Sequence, residues 1–310
     1  MPDFNDDAEL DTSQVEDMRG GGGGGGGFGR GGFPIPIPGG RMGGGLIGLL
    51  IVIVLGFLGY NGLSGGGLTG GGDNSGDDLS KVCAASNADR FDRADCRGLL
   101  YVNSIQAYWQ EALPDTLGTQ YQSATTRYFS NSVDTGCGQA DSGVGPFYCP
   151  ADSHVYIDLS FYDELANRFG APGQFAEAYV LAHEYGHHVQ NLVGTSDDVR
   201  RAQERDPNNA NKYSIMLELQ ADCFAGVWAA HAMQTTDMKG NKLFDAITDQ
   251  DIQEALTAAA AVGDDAIQKK SGGGINQDSW THGSSEQRQH WFTTGQQSGD
   301  PKRCDTFHGV

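Results

Sequence analysis

The chain has 310 residues, enough for a sizeable core, with 40 acidic against 20 basic residues and a formal charge of −20 at pH 7. This balance argues against a polyanionic partner. There is no basic stripe and no interleaving of aromatic with basic residues, so no nucleic-acid partner is expected.

Residues 1–42 read as a disordered arm. Asp3, Asp6, Asp7, Glu9, Asp11, Glu16 and Asp17 make the start acidic, and a glycine-rich tract broken by Phe28, Arg30 and Phe33-Pro34-Ile35-Pro36-Ile37-Pro38 follows. Such a composition offers too little apolar surface to offset chain entropy. Residues 43–63 are uncharged and centre on Leu46 to Tyr60, which predicts a single transmembrane helix near the short end of the spanning range. Arg19, Arg30 and Arg41 precede it and Lys81 is the first basic residue after it, which places the arm in the cytoplasm and the C-terminal domain outside, periplasmic or extracellular. Residues 64–78 read as a glycine-rich tether and 79–310 as one domain, α+β but mainly helical.

All six cysteines, Cys83, Cys96, Cys137, Cys149, Cys223 and Cys304, fall in that last domain, and none forms a C-x-x-C pair. An even number in an exported domain predicts three disulfides. Short separations favour Cys83–Cys96 and Cys137–Cys149, which leaves Cys223–Cys304 by elimination.

Within the domain, Gly145 to Asp152 leads into His154-Val155-Tyr156-Ile157-Asp158-Leu159, whose alternation and β-branched residues predict a strand. An accessible edge there would hold an extended peptide through main-chain hydrogen bonds. Residues Pro172 to Val193 read as a helix containing His183-Glu184-Tyr185-Gly186-His187. Two imidazoles four residues apart share a helical face and can close on one Zn2+ ion, while Glu184 points about 100° away, within reach of a water on the metal. His188 is expected to be structural.

Tyr213 to Trp228 is again helical in period, with Glu218 and Asp222 at i, i+4 on one face. Two histidines leave a catalytic zinc one protein ligand short, and Glu218 is the candidate third ligand. Asp222, one turn on, is placed to accept the outward N–H of a ligating histidine. Both sit in a mostly apolar helix, where a carboxylate needs a partner to offset desolvation. Asp251 to Val262 predicts a packing helix stopped near Gly263, and 271–274 a loop bordering the cleft. The developing oxyanion needs a donor; His282 is the candidate, with Tyr185, Tyr213 and Tyr156 as alternatives and a purely structural His282 as the competing reading.

These blocks together resemble the bacterial putative neutral zinc metallopeptidase family. The resemblance rests on His183 to Gln190, Glu218 to Gly226, Gly145 to Pro150 and Thr281 to Arg288, and covers most of 78–306. The glycine-rich arm and apolar segment also look like the family's N-terminal arrangement. The resemblance implies a zincin-like fold, His183 and His187 as zinc ligands and Glu184 as catalytic base, hence hydrolysis of a peptide or protein substrate through a zinc-activated water. Two alternatives share the same residues: a non-catalytic, membrane-tethered interaction or envelope-assembly protein with structural zinc, and a zinc amidase acting on cell-wall peptides.

Overall fold

The computed structural model describes residues 1–19, 51–52, 78–272 and 274–307. In chain order the strands are β1 (Asp3–Phe4), β2 (Val15–Asp17), β3 (Ile51–Val52), β4 (Thr125–Phe129), β5 (Ser132–Thr135), β6 (Gly138–Asp141), β7 (Phe147–Cys149), β8 (His154–Asp158) and β9 (Phe244–Ala246). The helices are α1 (Leu79–Val82), α2 (Ala94–Leu117), α3 (Phe161–Asn167), α4 (Gln174–Val193), α5 (Thr195–Arg205), α6 (Ala210–His231), α7 (Asp249–Ala261), α8 (Asp264–Lys270) and α9 (Ser285–Ser298). The expected α+β, mainly helical architecture is the one observed.

Helix α4 is buried on every side from Phe175 to Gln190. It packs against α2, α6 and α7 and, on its remaining side, against β7. Leu99, Leu181, Phe175, Trp109 and Trp228 are buried between these helices. Each such side chain contributes about 1.5–3 kcal/mol by leaving water. The expected start at Pro172 is displaced to Gln174, and Gly194 ends the helix in the left-handed conformation at φ 86°.

Two close approaches set the helix geometry. A Cβ on Gly186 would stand 2.9 Å from the Ala221 carbonyl oxygen, so α6 lies directly against α4 within the histidine motif. Gly226 and Gly295 allow a closer approach still: a Cβ on either would stand 2.0 Å from a backbone carbonyl oxygen of the opposite helix, Phe292 or Cys223, so α9 lies directly against α6. Gly226 therefore does not interrupt α6, because the space its side chain would occupy is filled by α9.

The main sheet has the order β2-β4-β8-β7-β3. Strands β2, β4 and β8 run parallel, whereas β7 pairs antiparallel with β8. The predicted strand at His154 is thus an interior strand between β4 and β7 and offers no accessible edge. The cysteines form Cys83–Cys96, Cys137–Cys149 and Cys223–Cys304.

The N-terminal reading needs correction. Residues 1–19 are not a free arm: β1 pairs with β9 and β2 with β4. Phe4 packs on Phe91 with ring centroids 4.7 Å apart, Arg90 donates to the Asn5 and Asp6 carbonyls, and Arg19 pairs with Asp95 at 2.8 Å. A segment hydrogen-bonded into the sheet shares a compartment with that sheet, so the arm and the domain cannot lie on opposite faces of a membrane. The expected transmembrane helix at 43–63 lies outside the described residues except for Ile51 and Val52, whose backbone pairs with Tyr148 and Phe147 as a strand. Among the described residues no helix is long and apolar enough to cross a membrane. The single-pass, membrane-anchored reading, with a cytoplasmic N-terminus and an exported domain, is overturned.

Candidate metal centre

His183 and His187 lie one turn apart on α4, and Glu218 reaches them from α6 across the Gly186 contact. The two Nε2 atoms are 3.1 Å apart, and the Glu218 oxygens stand 3.2 Å from His183 Nε2 and 3.5 Å from His187 Nε2. Three donors on a tetrahedral ion with bonds of about 2.0–2.1 Å stand about 3.3 Å from one another. The three side chains are buried, with Glu218 at 5 % exposure and both histidines at 0 %.

The hydrogen bonds around the triangle fix what it presents. His183 Nδ1 donates to Asp222 Oδ1 at 2.8 Å, and His187 Nδ1 donates to Gln190 Oε1 at 2.8 Å. Both Nε2 atoms then turn lone pairs inward, beside an acidic oxygen pair. Three acceptors converge without a donor among them, an arrangement that calls for a cation. In its absence the pocket attracts a proton: burial pulls the His183 pKa down, but Asp222 and Glu218 outweigh it and carry it up to about 9. Burial pushes the Glu218 pKa upward, yet the neighbouring imidazoles hold it well below the usual carboxylate range.

Asp222 is itself held on both oxygens. Arg288 donates Nε to Oδ2 at 2.8 Å and Nη2 to Oδ1 at 2.9 Å, and Tyr179 donates its hydroxyl to Oδ1 at 2.5 Å. Burial alone would raise the Asp222 pKa, but the Arg288 charge keeps it low, so the carboxylate stays ionised against His183.

Glu184 differs from all of these. It is fully buried, yet neither carboxylate oxygen has a hydrogen-bond partner. Burial raises its pKa, opposed by His183 and His187; the Tyr148 backbone N–H adds a further opposing pull without reaching hydrogen-bond geometry. An orphaned carboxylate beside a cation-seeking triangle fits a site built around a metal and a water. The donor set therefore fits zinc.

His282 sits at 5 % exposure on the loop before α9. Asp264 shapes this loop: its Oδ2 accepts the backbone N–H groups of Thr281, His282 and Gly283 at 2.9, 2.7 and 2.9 Å. His282 Nδ1 faces Asp264 Oδ1 at 3.3 Å. Burial lowers the His282 pKa, but the Asp264 hydrogen bond and the Glu218 and Asp264 charges raise it on balance. Of the tyrosine alternatives, Tyr185 and Tyr156 have their hydroxyls engaged elsewhere. The Tyr185 hydroxyl meets Thr126 Oγ1, that of Tyr156 donates to Asp152, and Tyr213 packs beside Val199 and Leu217. His188 is buried, joining the Tyr148 hydroxyl to the Gln122 carbonyl, with its pKa lowered by burial to about 4.

Tyr179, Gln190, Arg288 and Asp264 were not assigned roles from the sequence. Tyr179 and Gln190 stand at helical spacing from the histidines, i−4 from His183 and i+3 from His187, a usable signal. Arg288 and Asp264 carry no local signal. A second grouping of metal-ligating types, Cys83, Asp95 and Cys96, has no thiolate to offer because its cysteines form a disulfide.

Comparison with known proteins agrees with this chemistry. The family model described as "Putative neutral zinc metallopeptidase" matches residues 7–307. The uncharacterized protein Rv2575 of Mycobacterium tuberculosis is 48% identical over 232 residues, 74% of this chain and 75% of that protein. The uncharacterized protein YpfJ of Escherichia coli K12 is 40% identical over 274 residues, 87% of this chain and 88% of that protein. No solved structure gives a significant match. With a match over almost the whole chain and a His183–His187–Glu218 cluster able to hold a metal ion, the chain belongs to the putative neutral zinc metallopeptidase family.

Proposed function

We propose that the chain is a zinc-dependent endopeptidase that hydrolyses peptide bonds in a peptide or protein substrate. His183, His187 and Glu218 hold the metal, and Asp222 keeps His183 in the ligating tautomer. When bound, zinc supplies Lewis-acid polarisation of the scissile carbonyl and of the attacking water. Glu184 takes the proton from that water and returns it to the leaving amine; its burial raises its basicity for that task. His282, ordered by Asp264, donates to the oxyanion as it forms.

The observation that carries the reading is the pair of unpartnered Glu184 oxygens beside the three converging acceptors. A purely structural metal site has no use for a buried carboxylate that binds neither metal nor protein. The test is Glu184→Gln, assayed for zinc content and for cleavage of a diverse peptide library. The expected result is full zinc occupancy with hydrolysis lowered about 100-fold or more. Wild-type turnover in the variant would overturn the assignment.

A further inference from the structure

The two histidines are oriented by different chemistry. His183 faces a carboxylate, which accepts a hydrogen bond whichever way it turns. His187 faces Gln190, an amide, which accepts through Oε1 but donates if rotated by half a turn. A rotated Gln190 would place an N–H against His187 Nδ1, force the proton onto Nε2 and remove a metal ligand. Something must hold the amide in one orientation.

The direction of hydrogen bonding can be followed outward from a group that has only one role. The Cys304 carbonyl can only accept, and it receives Gln220 Nε2 at 2.9 Å. Gln220 must then present Oε1 inward, where it accepts from Gln190 Nε2 at 3.1 Å. Gln190 Nε2 also donates to the Leu217 carbonyl at 2.7 Å, a second acceptor-only group that favours the same orientation, and its Oε1 is left for His187 Nδ1. The carbonyl at the far end is itself clamped. The Cys223–Cys304 disulfide fastens it to α6, and Thr306 donates its hydroxyl to the Met216 carbonyl at 2.6 Å. Met216, Gln220 and Cys223 form one stripe of α6, while Glu218 and Asp222 lie on another.

We propose that Gln190 and Gln220 are positioning residues, an amide relay through which the clamped C-terminal segment 301–307 fixes the His187 tautomer and strengthens retention of a divalent metal. This rests on the metal-site reading above. The relay acts only through His187 and touches neither substrate nor reacting atoms.

The test measures zinc affinity of the full chain by chelator competition, together with ring-nitrogen NMR of His187 and His183 in the metal-free protein. Gln190→Leu is expected to weaken zinc binding about 10- to 100-fold, and Gln220→Leu up to about tenfold because Leu217 still holds Gln190. In Gln220→Leu, His187 is expected to show a minor second tautomer, limited by the Leu217 carbonyl, while the His183 ring-nitrogen signals, governed by Asp222, stay as in the unsubstituted chain. Gln220→Glu still accepts the Gln190 N–H and should restore both affinity and the single tautomer. Replacing Cys223 and Cys304 by alanine should weaken zinc binding with Gln220 present and leave it unchanged with Glu at that position. Unaltered affinity and a single His187 tautomer in Gln220→Leu would overturn the relay and leave the metal site standing. A wild-type chain that holds no zinc would overturn the metal site and the relay together.

Discussion

Arg288 and Asp222 form the most consequential pairing at the scale of single residues. Both are fully buried, and the guanidinium fork satisfies both Asp222 oxygens while Tyr179 and His183 share one of them. Removing one partner of such a pair strands a charge away from water. Arg288→Met is therefore expected to cost about 3–5 kcal/mol, read from the midpoint of urea unfolding. Asp222→Asn keeps the shape but lets an amide rotate against His183, and should lower zinc affinity about 10- to 100-fold in a chelator titration. Glu218 and Asp222 were readable because carboxylates at i, i+4 on an apolar helix need partners. Arg288 was not, since its partner is 66 positions away and nothing in its own neighbourhood marks it as buried.

Among the elements, the α4–α6 crossing decides whether the three candidate ligands meet. Gly186 lets the Ala221 backbone approach within contact distance, and this approach brings Glu218 to the two imidazoles. Gly186→Ala should separate the helices, lowering stability by about 1–3 kcal/mol and weakening zinc binding with it. Unchanged zinc affinity in a folded Gly186→Ala chain would show that the crossing has slack. Periodicity revealed both helices, because their apolar residues recur at helical spacing. It carried α6 through Gly226 to Trp228, short of its end at His231, but only α9 shows what fills the place of the missing side chain. The strand at His154 was visible for the same local reason, whereas its interior position depends on β4 and β7, which lie on either side of it only in the folded sheet.

For the molecule as a whole, the docking of residues 1–19 is the largest departure from expectation. An acidic stretch ahead of a glycine tract lacks the composition of a core segment, and an apolar run satisfies a hydropathy window whatever its flanks do. The partners of the segment, β4, β9, Arg90, Asn103 and Asp95, all lie beyond the glycine-rich stretch. One anchor titrates. Burial raises the Asp95 pKa, but Arg93 and Arg19 outweigh it and bring it below the ordinary value. A depressed carboxyl stabilises the folded form above its unfolded pKa of about 3.9, and that contribution is lost as pH falls through the lower folded value. Amide protection of residues 1–19 should therefore stay constant from neutral pH to about pH 5 and fall as the medium becomes more acidic than about pH 4. Arg19→Ala should weaken the protection at neutral pH and flatten its decline. Protection that is identical in the two chains at every pH would remove the Arg19–Asp95 pair as an anchor.

The sequence by itself determined the local patterns: the pentapeptide spacing, the helical periods of α4 and α6, the carboxylate pair and the short-range cysteine pairings. These depend on residues within a few turns of one another, where bond geometry fixes which side chains share a face. Only the tertiary structure decided the inward-facing lone pairs, the arginine behind Asp222, the amide chain behind His187 and the place of the first nineteen residues. Each depends on contacts between segments far apart in the chain, and such contacts are set by how helices and strands fill space together.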